Sequence, residues 1–286
     1  MNAATASPTA DRWATAVDAF QRDGFVVIPD ALSSSQVATL NTAFTRYETE
    51  FPQEWSRFSE SFIHTADVLP HMSDFDATIE NPVVLPFLQR LLGEKLAFEE
   101  MSLMIRNPTD NVGELKGWHR DVVRAFDRRH EIKVLSVVYY LTDVTAQDHC
   151  FSIIPGTHDG PHGTMRPEDV QPGMEVDALG PAGSAFVFHA RCIHAGKLKL
   201  GSRPRRTMHL YYGQYGEPRS SEWTTIPPRL ANKHDPSLPP WLYAKAGVRD
   251  IIDGTGRKPR DVPADMTTAQ MLIHVQRRAN QKAPPP

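Results

Sequence analysis

The chain has 286 residues, 40% apolar and 23% charged, an ordinary composition for a water-soluble globular protein long enough to bury a sizeable core. Its formal charge of −3 leaves no basic excess to neutralise a row of phosphates, so nucleic acid is a poor first partner and a small molecule fits better. Two cysteines, Cys150 and Cys192, are too few for a disulfide framework and lack Cys-x-x-Cys metal spacing; both are expected to be free thiols in a reduced, cytosolic setting.

Residues 1–12 have no basic stretch followed by an apolar one and read as a disordered tail, as do residues 281–286. No apolar run approaches the roughly 20 residues that span a bilayer. The longest, near Val134 to Leu141, has strand length, and a cytoplasmic protein without membrane contact is expected. Val17 and Phe20 predict a helix ending at Gly24, Phe25 to Ile28 a buried strand, and Val37, Leu40, Phe44 and Tyr47 a second helix capped by Ser33 to Ser35. A third helix runs from Val83 to Leu92, with Pro86 in its first turn and Gly93 at its end.

From about residue 97 the period shortens to β-rich runs: Phe98 to Ile105, Val134 to Leu141, Phe151 to Ile154, Ser184 to Phe188 and Thr207 to Tyr212. Helices first and strands later, with no linker between, predict one α+β domain over residues 1–286, its antiparallel strands forming a barrel or sandwich. The Pro-rich stretch Ile226 to Trp241 has neither period and reads as a long surface loop, with a closing helix at Thr267 to Ala279.

Chemistry concentrates at Gly117-Trp-His-Arg-Asp121. On extended backbone, residues two apart share a face, so His119 and Asp121 aim an imidazole and a carboxylate at one point while Arg120 faces away. Nitrogen and oxygen donors without thiolate suit Fe(II) or Mn(II), and two His plus one carboxylate form the facial triad of non-haem iron oxygenases. A third ligand must then come from a distant histidine among the twelve present. Phe186-Val-Phe-His-Ala-Arg-Cys-Ile-His194 is an apolar strand carrying two candidates, His189 and His194, and Arg203 to Tyr212 follows as a basic-to-apolar strand.

Four features together resemble the phytanoyl-CoA dioxygenase-like Fe(II)/2-oxoglutarate oxygenases: Arg22-Asp-Gly-Phe-Val-Val-Ile-Pro29; Trp118-His-Arg-Asp121; Leu141 to Thr145 leading to Ile154-Pro-Gly-Thr-His158; and His194 with Arg205 eleven residues later. The resemblance covers roughly residues 15–215. It implies a double-stranded β-helix (jelly roll, cupin-like) with flanking N-terminal helices and a long C-terminal loop and helix extension. It further implies a catalytic iron held by His119, Asp121 and His194, with 2-oxoglutarate and O2 as cosubstrates, succinate and CO2 as products, and Arg205 and Thr207 on the distal carboxylate. Arg203 falls too close to the turn for that role and Arg206 points to the opposite face. The turn at Gln147-Asp-His149 departs from the family's usual Asn-Gly. Halogenating relatives replace the carboxylate ligand by a small residue; Asp121 is retained here, which favours hydroxylation.

Of Tyr139 and Tyr140 one must face the interior, and Tyr139 is taken as the cofactor-facing one. His189 lies an odd five residues before His194 and so on the opposite face unless the strand bulges. His209 shares the Arg205 face, as an interior hydrogen-bonding neighbour or a satisfied core histidine. His158 and His162 read as solvated loop residues, and Arg120, Arg124, Arg128, Arg129 and Lys133 as a solvated basic run. Trp118 reads as packing; Trp55, Trp223 and Trp241 lie in irregular segments suited to a pocket wall. A non-catalytic metal- or ligand-binding jelly roll, or a cupin-like metalloenzyme that does not use 2-oxoglutarate, are the competing functions. The segments Phe51 to Asp76 and Gly213 to Asp250 are expected to select the small-molecule substrate.

Overall fold

The computed structural model describes residues 13–110, 117–121, 134–159, 164–217, 219 and 223–246. The two tails, the closing helix expected at residues 267–279, and Arg124, Arg128, Arg129, Lys133 and His162 lie outside them.

The helix α1 (Ala14–Asp23) stops where Gly24 adopts a left-handed φ of 82° and its N–H caps the Phe20 carbonyl at 2.7 Å. Glycine is needed there twice over, because a Cβ would collide with Cys192 and His158. The chain turns directly into β1 (Phe25–Ile28). A capping box starts α2 (Ser34–Glu50): the Ser33 hydroxyl accepts from the Gln36 N–H, and the Gln36 side chain accepts from the Ser33 N–H at 2.8 Å. Its Leu40, Phe44 and Tyr47 are buried. After the single turn α3 (Asp76–Ile79), α4 (Leu85–Leu92) carries Pro86 in its first turn, where the missing N–H has no helical partner to lose.

The remaining strands are β2 (Ser56–Arg57), β3 (Phe62–Thr65), β4 (Leu96–Arg106), β5 (Val134–Tyr140), β6 (Cys150–Ile153), β7 (Val176–Ala178), β8 (Ala185–His189), β9 (His194–Lys197) and β10 (Arg205–Gln214). They form a seven-stranded sheet in the order β1-β8-β5-β10-β4-β3-β2 and a three-stranded sheet β7-β6-β9, every pairing antiparallel. This is the jelly-roll sandwich with helices on one outer face. Strand alternation sorts the large sheet into two cores. Leu135, Val137, Tyr139, Val187, Met208, Leu210 and Tyr212 pack outward with Phe20, Phe44, Tyr47 and Phe87 of the helices. Val138, Tyr140, Phe186 and Phe188 pack inward against Phe151 and Ile153 of the small sheet.

The stretch expected as a long surface loop at Ile226 to Trp241 contains only the turn-length helix α5 (Pro228–Ala231), which Arg229 ties to Asp76 at 2.7 Å, and its flanks are bound to the sheet. The Thr224 hydroxyl accepts from the Met101 N–H (3.0 Å) and donates to the Ala66 carbonyl (2.8 Å), and the Leu242 carbonyl accepts from the Phe98 N–H (2.7 Å). The register of β10 on β4 pairs Tyr211 with Glu100 and Tyr212 with Phe98, leaving Glu99 as the extra residue of a bulge. Its carboxylate turns to the Lys245 ammonium, and both side chains are 0% exposed. Removing one partner strands the other charge away from water. Glu99→Leu or Lys245→Met alone is therefore expected to destabilise the fold by about 3–5 kcal/mol, while the paired replacement Glu99→Leu with Lys245→Met recovers most of that loss in chemical denaturation. Additive losses in the double variant would contradict a coupled pair.

Candidate metal centre

The short segment 117–121 runs alongside the start of β9. His119 and His194 form an isolated antiparallel bridge, each N–H donating to the other's carbonyl at 3.0 Å, and the Asp121 N–H donates to the Ala190 carbonyl at 3.0 Å. The bridge sets the two imidazoles side by side with ring centroids 4.3 Å apart. Asp121 Oδ1 stands 3.4 Å from Nε2 of His119 and 3.4 Å from Nε2 of His194. One potential ligand atom from each residue falls within 4.8 Å of the others, and this is the one such cluster among the described residues. Donors bound at about 2.0–2.2 Å to one ion lie about 3 Å apart when they subtend right angles, so the spacing fits a single metal taken on one face.

The ring nitrogens are sorted for that task. Nδ1 of His119 lies 2.5 Å from the Gly117 carbonyl and Nδ1 of His194 lies 3.0 Å from the Cys192 carbonyl. A carbonyl can only accept, so each Nδ1 carries the proton and each Nε2 presents its lone pair inward. Side-chain exposure of 54% at His119, 17% at Asp121 and 4% at His194 leaves the centre open from one side. Burial opposes the charge on Asp121; where the imidazoles carry a second proton, on Nε2, the charge of His194 and the hydrogen bonds from both rings outweigh it and hold the carboxyl well below the usual carboxylate range.

Arg120 faces away from His119 and Asp121, but the expected solvated position is corrected. Its guanidinium donates to the carbonyls of Thr157, Arg191 and Met165, the last at 2.8 Å, and so ties three loops together beneath the ligand segment. His189 does not join the ligand cluster. Its ring lies tilted 5.4 Å from His158 and stacked 6.5 Å from Phe20, and burial pushes its pKa down to about 3. His158 is buried as well, with Nε2 3.1 Å from the Gln21 carbonyl, because the turn that carries it packs under α1 rather than into solvent.

Arg205, Thr207, His209 and Tyr211 share the inward face of β10. Arg205 is 3% exposed; its Nη1 donates to the His149 carbonyl at 3.1 Å, while its Nε is buried with no partner. The Thr207 hydroxyl lies 3.3 Å from Nε2 of His209. The assignment of Tyr139 is corrected. Tyr140, not Tyr139, pairs with Thr207 across the sheet and sits inside, its hydroxyl donating to the Ala178 carbonyl at 2.8 Å. Tyr139 points to the helices, its hydroxyl donating to the Thr78 carbonyl at 3.2 Å. The register to β10 settles which tyrosine turns inward, and alternation within β5 alone does not.

Other residues reach the interior without having been singled out. His64 of β3 is buried with Nδ1 unpartnered and meets the Trp223 ring edge-on at 6.4 Å. Trp55 instead packs on Phe44 and Tyr47 in the helical core, and Trp241 stacks on Tyr215 at the surface. The most consequential is Tyr211, whose hydroxyl donates to Asp121 Oδ2 at 2.9 Å. The carboxylate is thereby divided: Oδ1 faces the imidazoles and Oδ2 is held from behind. The step-of-two argument that selects Thr207 from Arg205 also selects Tyr211, so the signal was present in the sequence.

An orienting partner of a ligand typically contributes 10–100-fold in metal affinity. Tyr211→Phe is expected to weaken Fe(II) or Co(II) binding by about that factor, measured by anaerobic titration, with little change in folding. Unchanged affinity would mean that Tyr211 packs beside the centre without orienting it.

A family model described as Phytanoyl-CoA dioxygenase (PhyH) matches residues 20–207. Among solved structures the chain is similar to the non-heme alpha ketoglutarate dependent carbocyclase SnoK from nogalamycin biosynthesis, with a TM-score of 0.59, 19% identity, and 71% of this chain and 84% of that one covered. It is similar to the epimerase SnoN in complex with Fe3+, alpha ketoglutarate and nogalamycin RO, with a TM-score of 0.58, 19% identity, and 78% and 91% covered. It is also similar to HygX from Streptomyces hygroscopicus with nickel, 2-oxoglutarate and hygromycin B bound, with a TM-score of 0.56, 17% identity, and 71% and 87% covered. At these identities the likeness is one of fold. The family match takes in well over half the chain, including His119, Asp121, His194 and Arg205, and the chain belongs to the phytanoyl-CoA dioxygenase (PhyH) family.

Proposed function

We propose that this chain is a non-haem Fe(II)/2-oxoglutarate-dependent dioxygenase that hydroxylates an unactivated C–H bond of a small molecule. The observation that carries the reading is the convergence of two Nε2 atoms on one carboxylate oxygen, each 3.4 Å from it, on the same interior as a buried Arg205 with an unpartnered Nε. The residues present fit the groups required: a thiolate-free facial donor set for iron, and a guanidinium with spare donors for a carboxylate. His119, Asp121 and His194 would hold Fe(II), which together with 2-oxoglutarate and O2 supplies the oxidising chemistry, with succinate and CO2 as coproducts.

The chain's own part is binding, orientation and exclusion of water. Asp121 contributes the one negative charge of the donor set, and Tyr211 fixes which of its oxygens turns to the imidazoles. Arg205 receives the distal carboxylate of 2-oxoglutarate, with the Thr207 hydroxyl on the same face beside it. Phe151, Phe186 and Phe188 line the space next to His194 and His209 with apolar surface, which keeps bulk water from the reacting positions. His64 and Trp223 come from the segments expected to select the substrate, and they meet on the inward side of β3. The small molecules named with HygX and SnoN support a substrate of similar scale. Asp121 fills the position that a halide would need, and this favours hydroxylation over halogen transfer.

With Fe(II), 2-oxoglutarate and O2, the wild-type protein is expected to form succinate faster than Asp121→Ala, which falls to the rate without protein. Arg205→Ala is expected to raise the 2-oxoglutarate requirement by about 10–100-fold, the value of one charged hydrogen-bonded pair. Equal succinate formation by wild type and Asp121→Ala across a broad substrate panel would overturn the assignment. Normal iron loading with no effect of 2-oxoglutarate on the anaerobic Fe(II) spectrum would point instead to a cupin-like enzyme that does not use it.

A further inference from the structure

Arg106 and Arg205 are direct cross-strand partners on β4 and β10, and both side chains enter the space between the sheets. Arg106 crosses that space. Its guanidinium lies 3.8 Å over the Phe62 ring, and its Nη2 would stand 3.4 Å from a Cβ at Gly196 of β9, where no side chain intervenes. Arg205 lies 4.9 Å from the centre of the Phe151 ring. Phe151 and Gly196 are themselves cross-strand partners in the small sheet, so the two guanidiniums converge on one place.

That place is rich in donors and poor in acceptors. Arg205 gives one hydrogen bond to the His149 carbonyl, its Nε has none, and among the described residues no carboxylate pairs with either arginine. Burial, then the charge of Arg205, pushes Arg106 down to about 10. Two like charges that approach one place, one of them buried and the other half-buried, are unfavourable unless an anion sits between them. Their shared approach to Phe151 and Gly196 points to one anion for both rather than one for each.

We propose that Arg106 is a second guanidinium for the distal carboxylate of 2-oxoglutarate, which it shares with Arg205. The inference rests on the cosubstrate reading above and extends it to a residue outside the matching motifs. Two planar forks set against one carboxylate fix both its distance from the metal and its orientation, and so favour a 2-oxo acid of one length.

The test is calorimetric titration of 2-oxo acids into the anaerobic Fe(II)-loaded protein. Arg106→Gln is expected to weaken 2-oxoglutarate about 10–100-fold and to leave iron affinity and the binding of 2-oxobutyrate, which has no distal carboxylate, unchanged. Should Arg106→Gln fail to fold, Arg106→Lys carries the test, with an intermediate loss because it keeps the charge without the fork. Unchanged 2-oxoglutarate affinity in a folded variant overturns the proposal, as does an equal loss for 2-oxobutyrate. A wild-type protein that loads iron but binds no 2-oxoglutarate would sink the cosubstrate reading itself, an outcome separate from any effect of Arg106.

Discussion

Two backbone hydrogen bonds, from the His119 N–H to the His194 carbonyl and back, clamp a short extended segment onto the first residue of β9. The two histidines are far apart in the chain, and nothing local brings them together. The sandwich does so: β8 leaves the large sheet at His189, the chain turns through Cys192, and β9 enters the small sheet beside β6. Once the bridge exists, extended geometry places Asp121 on the same side as His119, and its N–H bond to Ala190 holds it there. Arg120, forced to the other side, finds the carbonyls of three loops and locks the segment from beneath.

The same sandwich has a polar centre that packing alone would not select. Arg205, Thr207, His209, Tyr211, His64 and half-buried Arg106 occupy inward positions that apolar side chains could fill, and two of them, Arg205 and His64, retain an unpartnered polar atom. Burying such groups costs stability unless partners satisfy them. The outward face of the same strands, by contrast, is an apolar layer against the helices. Such a run of polar side chains on the inward face is what a ligand-binding interior requires.

Much of this was legible in the sequence, for identifiable reasons. The helices announced themselves through periodic apolar residues, the Ser33 cap and the glycine stop at Gly24, and the long strands through uniform β-branched and aromatic runs. The short strands β2, β3, β7 and β9 were not legible, since their two to four residues are polar or mix polar and apolar side chains, without the uniform apolar run that marks β1, and they pair only because a neighbour offers an edge. His119, Asp121 and His194 could be gathered by motif and parity. Tyr139 was misplaced because alternation gives two faces without saying which is inward; that depends on the register Thr207 to Tyr140. Arg106 and His149 were hidden for the same reason, their importance lying in pairing with β10 and in the Arg205 contact, not in any local pattern. The Glu99 bulge and its Lys245 partner, 146 residues apart, were beyond local reading altogether.

Anomalous diffraction at the iron edge, from crystals grown anaerobically with Fe(II) and 2-oxoglutarate, shows whether one metal is held by these three side chains. The expected result is a single peak bonded to Nε2 of His119, Nε2 of His194 and Oδ1 of Asp121, with Oδ2 still held by Tyr211. A peak at His189, a peak away from this cluster, or no peak in a protein that binds iron stoichiometrically would contradict it.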